Sequence, residues 1–306
     1  MSIASEITAL NTNLSAAKTA VTTKGGTVGD TGLAGLADEI AAIPTGGSPV
    51  NYGSITYLDG NNVEQTLTLA SEDDFIELSV GYSEDVLNIN NTSVTKNKIT
   101  SVTVADGVQY LPNYFCRECG SLTSVSLPSS IHYIGDNVFG SCINLNSALN
   151  LTNVKYIGEY FLVSATIFNQ SISLPNIDII GGYFLNSCSA FNSSITLNDN
   201  MKIMGVRFME SCSNFAQSLS IPSGLEQPIQ GRFMYMCNSF TGPLTCNSPL
   251  MPTVTGSQLN QILSTTDSSA SMYTTGITLT GTYASDFKTA LPDRDSSPYR
   301  KLIVGS

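Results

Sequence analysis

Tryptophan is missing altogether from the 306 residues, histidine occurs once, and only 12% of the chain is charged. Lysine and arginine number 13 against 24 acids, a formal net charge of −11. A surface so poor in cations has little with which to neutralise phosphates, which argues against nucleic acid and anionic membrane as partners. No apolar run approaches the ~20 residues of a membrane span, so membrane insertion is not expected. Met1-Ser-Ile-Ala-Ser-Glu-Ile also lacks the basic start and apolar stretch of a secretory signal. The expectation is a protein that stays where it is made or leaves as part of something larger. Seven cysteines, an odd count, cannot all pair within one chain, which disfavours a disulfide scaffold. What is present is 42% apolar residues, enough for a sizeable core, spaced by Ser, Thr, Asn and Gly. That mixture suits a β-rich protein with a neutral hydrogen-bonding surface.

The chain divides into four stretches. In residues 1–45, Ile3, Ile7, Leu10, Leu14, Ala17 and Val21 recur at steps of four and three, the seam of a short coiled coil. So short a helix is marginal alone, and the seam predicts either an amphipathic helix packed on its own domain or one that finds partners, as an anchor or in a homo-oligomer. Lys24-Gly-Gly breaks it, a second apolar helix ends at Pro44, and Thr45-Gly-Gly-Ser-Pro49 reads as a linker. Residues 46–98 switch to short alternating runs around Asp59-Gly-Asn-Asn62, a hairpin signal, and form a small β module that caps the central repeats at their N-terminal end. Its acidic run Glu72-Asp73-Asp74 reads as a solvated loop. Residues 253–306 alternate helix and strand signals and read as a small α/β cap, with a helix from Ser257 to Leu263.

Between these modules, residues 99–252 align against themselves as about six coils of roughly 23 to 25 residues. The strand pairs are Val102/Val104, Val125/Leu127, Leu149/Leu151, Ile172/Leu174, Ile195/Leu197 and Leu219/Ile221. A glycine column comes after them at Gly135, Gly158, Gly181 and Gly205, with Gly231 continuing it after one inserted residue, and predicts a turn without room for a side chain. Val138, Phe161, Phe184, Phe208 and Phe233 form the next column, and Leu122, Leu145, Phe168, Phe191, Phe215 and Phe240 close the coils. Cys119, Cys142, Cys188, Cys212 and Cys237 share a column with Ala165, so a small packed side chain is what the position asks for. Cys246 fits no column of the repeat. One coil cannot cover its own apolar face, so the coils must stack.

The segment Leu122-Thr-Ser-Val-Ser-Leu-Pro-Ser-Ser-Ile-His-Tyr-Ile-Gly-Asp-Asn-Val-Phe-Gly-Ser-Cys-Ile-Asn-Leu145 resembles the repeat of BspA-like leucine-rich repeat proteins. That resemblance implies adhesion or recognition of proteins and surfaces, not catalysis. The stretch from Ile7 to Pro44, with Lys24-Gly-Gly-Thr-Val and then Leu36-Ala-Asp-Glu-Ile, resembles the opening segment of many tailed-phage virion proteins. It implies a virion location, release by lysis, and other virion proteins as partners of the N-terminal segment. The expected protein is therefore mainly β, a leucine-rich-repeat-like solenoid with parallel strands, a helical N-terminal anchor and a small α/β cap. The expected role is tail-fibre or baseplate host recognition; a capsid decoration protein, a head fibre and a bacterial surface adhesin are the rivals.

Chemistry is hard to find. His132 stands alone, so nucleophile and metal arrangements lack their usual second member, and Gly25-Gly-Thr-Val-Gly29 lacks the Lys of a phosphate loop. Glu84-Asp85 and Asp293/Asp295 are carboxylate pairs too close in sequence to face a common substrate. No catalytic residue, cofactor or metal is expected. The solenoid offers instead an outward row between its strand pairs, Thr103, Ser126, Asn150, Ser173, Thr196 and Ser220, all neutral hydrogen-bonding groups and a candidate face for host glycan or protein.

Overall fold

A computed structural model describes residues 51–252, 261–295 and 298–305. The seam of Ile3, Ile7, Leu10, Leu14 and Val21, and the beginning of the helix expected at Ser257, lie outside the described residues.

The chain enters as a hairpin of β1 (Gly53–Leu58) and β2 (Glu64–Leu69), turning at Asp59, whose carboxylate accepts from the Asn61 and Val63 amides. β1 then pairs antiparallel with β5 (Ile99–Val104), and β5 pairs parallel with β7 (Ser124–Ser126). The hairpin thus covers the otherwise open edge of the first coil. Between these strands lie a second hairpin, β3 (Val86–Ile89) and β4 (Thr92–Thr95), turning on left-handed Asn90 and Asn91, and a short helix, α1 (Glu72–Glu77). The acidic run is therefore not a loop. Ser71 caps the helix by accepting from the Asp74 amide, Asp74 accepts in return from Ser71, and the acids sit at the positive end of the helix dipole. The capping orients Phe75 inward, where its ring meets Tyr52 at 5.5 Å and Phe115 at 4.9 Å.

Lys96 is wholly buried beside this module and donates to the carbonyls of Val80 at 2.8 Å and Gly81 at 3.2 Å. Together with Asn97, which reaches Glu84 and the Ser83 carbonyl, it pins the loop 80–85. Lys96→Met removes the donor of two carbonyls at once and is expected to cost about 2 kcal/mol, with faster amide exchange at Tyr82 and Asn97 as the local signature.

From Tyr110 onward two sets of short strands alternate. One set builds a five-stranded parallel sheet of β6 (Tyr110–Leu111), β8 (Tyr133–Ile134), β9 (Tyr156–Ile157), β11 (Ile179–Ile180) and β13 (Ile203–Met204), each strand one coil beyond the last. The other set comprises β5 and β7, then β10 (Ile172–Leu174) with β12 (Ile195–Leu197), then β14 (Leu219–Ile221) with β15 (Leu244–Cys246). Leu149 and Leu151, expected as a strand pair, form no strand. At this coil the Ser147 hydroxyl, not a backbone carbonyl, accepts the Val125 amide at 2.9 Å, and the ladder is interrupted.

The third side of each coil carries no strand and is built in an unusual way. Tyr160, Leu162 and Ser164 have φ of 61°, 56° and 57°, and the same alternation recurs at Asn137/Phe139/Ser141, Tyr183/Leu185/Ser187, Arg207/Met209/Ser211 and Arg232/Met234/Met236. Each left-handed non-glycine residue costs about 1 kcal/mol or more. The alternation turns successive amides in opposite directions: Tyr160 and Ser164 donate forward to Gly182 and Asn186, and Leu162 donates back to Val138. That arrangement ties each coil to both neighbours where a β-ladder is absent.

The glycine column works differently from the turn expected of it. Gly135, Gly158, Gly181 and Gly205 do not have left-handed φ; a Cβ on Gly181 would lie 2.6 Å from the Gly158 carbonyl carbon, and one on Gly205 2.3 Å from that of Gly181. These glycines provide room for coils to approach. Gly231 is not the next of them: its carbonyl accepts from Arg207 as the carbonyls of Glu159, Gly182 and Val206 do in earlier coils, which puts Gln230 in the glycine column.

Inside, the coils share one core. Phe161, Phe184, Phe208 and Phe233 stack at 5.1 to 5.8 Å, and Phe168, Phe191, Phe215 and Phe240 form a second stack at 5.6 to 6.2 Å. Burying each ring contributes roughly 1.5–3 kcal/mol, realised only when the neighbouring coil is present. All seven cysteines are free and buried. Four thiols donate to a carbonyl of the coil before: Cys142 to Cys116, Cys188 to Leu162, Cys212 to Leu185 and Cys237 to Met209, at 2.9 to 3.1 Å.

The parallel stack continues past residue 252. β16 (Ile277–Thr280) pairs with β15, and β17 (Leu302–Val304) with β16, joined through α2 (Ser271–Thr274) and α3 (Ala284–Ala290). Cys246 thereby finds its place, opposite Ile221 on the inward side of β15. On the far side of β17, the Leu302 amide donates to Asp293 at 2.6 Å and its carbonyl accepts from Lys288 at 2.5 Å, and those two side chains lie 3.5 Å apart.

Candidate binding face

The outward row occupies the first set of strands, where period-two alternation buries one side chain and exposes the next. Thr103 stands in register with Ser126, and Ser173 with Thr196. Thr103, Ser126, Ser173 and Thr196 are exposed, and Ser220 is half-buried. Asn150 is exposed too but belongs to no strand; its side chain accepts from the Thr152 amide at 3.4 Å. The structure thus brings the row together in three groups, with a gap in the ladder at Asn150.

Both ends extend further than the repeat alone reveals. Ser54 lies opposite Thr103 and Thr68 opposite Ser54; at the other end Thr245 lies opposite Ser220 and Thr280 opposite Thr245. The Thr245 and Thr280 hydroxyls are 3.1 Å apart, and Asn247 donates to the Ser220 hydroxyl at 3.2 Å. Ser54-Ile-Thr and Thr278-Leu-Thr carry the same alternation, but they are not copies of the repeat. A parallel row at Ser171 and Ser194, whose hydroxyls are 3.0 Å apart, widens the face. One corner of the coil holds an asparagine ladder that periodicity could have found: the side-chain oxygens of Asn146, Asn169 and Asn192 accept the amides of Asn169, Asn192 and Ala216.

Chemically the row of Thr103, Ser126, Ser173, Thr196, Ser220, Thr245 and Thr280 can donate and accept hydrogen bonds and none of these side chains is ionisable. Perturbed acids and phenols lie on other parts of the coil. Burial, helped by the charges of Asp136 and Glu159, pushes the Tyr156 phenol up to about 12, and burial together with Asp136 raises the Glu159 carboxyl. The His132 ring nitrogen Nδ1 sits 2.6 Å from the Ser130 carbonyl. Asp85 accepts the Tyr82 amide, Glu84 accepts from Asn97, and Asp293 caps Leu302, so these carboxylates have structural tasks. Among the described residues no group of three or more His, Cys, Asp or Glu could hold a metal ion, and no helix is long and apolar enough to cross a membrane.

A family model described as the BspA type leucine rich repeat region, in six copies, matches residues 75–169 and 164–248, more than half of the chain. Comparison with curated proteins and with solved structures returns no match.

Proposed function

The chain belongs to the BspA-type leucine-rich repeat family, whose repeats serve adhesion and surface binding, and from that premise we propose that it is a non-enzymatic virion protein of a tailed phage. In this reading the N-terminal segment docks on other virion proteins and gathers copies of the chain, while the solenoid faces the host as part of a tail fibre or baseplate. The observation that carries the recognition role is the hydroxyl face: registered neutral donors and acceptors at strand spacing, on a scaffold held rigid by shared core stacks. The resemblance of residues 7–44 to virion openings supports the location.

The test has two arms. Antibody labelling of particles is expected to place the chain at the tail. Labelling on the capsid would turn the reading to a decoration protein or head fibre, and particles without the chain would overturn it, leaving a cell-surface adhesin. In the second arm, phage carrying Asn150→Lys with Ser173→Glu is expected to attach to host cells about tenfold less well. Unchanged attachment removes this face from the recognition role.

A further inference from the structure

A second column carries chemistry that the hydroxyl face does not. The first left-handed residue of successive coils is Tyr114, Asn137, Tyr160, Tyr183, Arg207 and Arg232, so one backbone geometry sets large side chains in line along the axis. Tyr160 and Tyr183 stack at 4.2 Å, and the Arg207 guanidinium lies 4.9 Å from the Tyr183 ring centroid. At the start of the line Tyr82 is 65% exposed and Tyr114 46% exposed, and the Arg117 guanidinium lies 5.7 Å from both ring centroids. The loop holding Tyr82 is the one that Lys96 pins, so the platform exists before any ligand arrives.

Charge along the stripe is cancelled locally. Arg117 pairs with Glu118 at 2.5 Å, and Glu210 pairs with Arg207 at 3.4 Å and Arg232 at 2.8 Å. Each guanidinium therefore has a ring close by and a carboxylate within ion-pair distance. Rings offer flat faces to C–H groups, and a held Arg–Glu pair offers adjacent donors and acceptors, the complement of a pyranose ring with neighbouring hydroxyls. A globular protein partner wants a patch of about 800 Å² with an apolar centre. This stripe is one side chain wide and is broken by Asn137. An anionic polymer would gain little from Arg117, Arg207 and Arg232, whose charges Glu118 and Glu210 already offset, on a chain of net charge −11.

We propose that the Tyr82–Arg117–Tyr114 platform binds a neutral glycan chain, which the Tyr160–Tyr183–Arg207 ladder extends along the axis. The site is separate from the hydroxyl face and does not rest on the virion reading.

The full chain is screened on an array of neutral and anionic glycans, and the best neutral ligand is titrated calorimetrically. Tyr82→Ala with Tyr114→Ala is expected to weaken binding about tenfold or more, Tyr82→Phe with Tyr114→Phe to stay within about threefold, and Val63→Lys, on the exposed β1–β2 turn, to leave it unchanged. Absence of any neutral glycan binding up to ~1 mM, binding of anionic glycans alone, or wild-type affinity in the alanine pair overturns the proposal. Should the alanine pair melt early, Tyr82→Ala alone decides, because that side chain lies on a loop outside the coils.

Discussion

Gly181→Ala is expected to lower stability by about 3 kcal/mol and to part the coils at that point, with Gly205→Ala acting likewise. The new Cβ would sit 2.6 Å from the Gly158 carbonyl carbon and 2.7 Å from the Glu159 amide nitrogen, backbone atoms that no rotamer change can move aside. Relief requires the coils to separate, which stretches the bond from the Gly181 amide to the Ile157 carbonyl, now 2.8 Å, and the ladder between β9 and β11. Gly120→Ala is the control, since nothing lies within 4 Å of its Cβ position and its φ is ordinary. Denaturant midpoints measure the difference, and amide exchange at Ile179 and Ile180 locates it. Equal midpoints for Gly181→Ala and Gly120→Ala would show that the column is not kept for close approach.

Alkali is expected to unfold the protein over a window set by its thiols. Burial pushes Cys188 and Cys246 up to about 12 and raises Cys116, Cys142 and Cys212 well above the ordinary thiol range. In the unfolded chain a thiol ionises at about 8.5, so the unfolded state loses protons that the folded state keeps. The contribution of these groups is whole below about pH 8.5 and is lost as pH climbs toward their folded values. A single thiol shifted in this way costs about 1.4 kcal/mol per pH unit across that window, a sizeable fraction of the roughly 5–15 kcal/mol of a typical domain, and all five act in the same direction. The raised Tyr156 phenol acts in the same direction at higher pH. Melting temperatures at pH 8 and pH 10 test this, and Cys188→Ala should flatten the slope. Ellman's reagent at pH 8 should find no thiol in the folded protein and all seven after denaturation. Stepwise labelling with the fold intact would contradict a sealed column.

The same columns show what a sequence gives away. Val125, Ile172, Ile195 and the phenylalanine stacks were legible because burial repeats with the coil, and side-chain type tracks burial. The cysteine column was legible for a related reason: Ala165 stands in it, so the position selects size. Other features leave no such trace. Tyr160, Leu162 and Ser164 adopt left-handed backbone without being glycine or mostly asparagine, so no residue type marks them. Gly181 carries the residue that suggests a special turn but is kept for space, a reason set by the neighbouring coil and hence invisible within one copy. Thr245 and Cys246 belong to the parallel stack, yet the segment after them is too irregular in length to align. The tyrosine and arginine stripe escaped for the opposite reason: its members differ from copy to copy, and only the shared backbone lines them up.

The outward amide and carbonyl of Leu302 are already taken, by Asp293 and Lys288, and this leaves the last strand guarded at its first residue. A strand from a neighbouring molecule arriving there finds both hydrogen-bonding positions already filled, so end-to-end growth into filaments is blocked at that point.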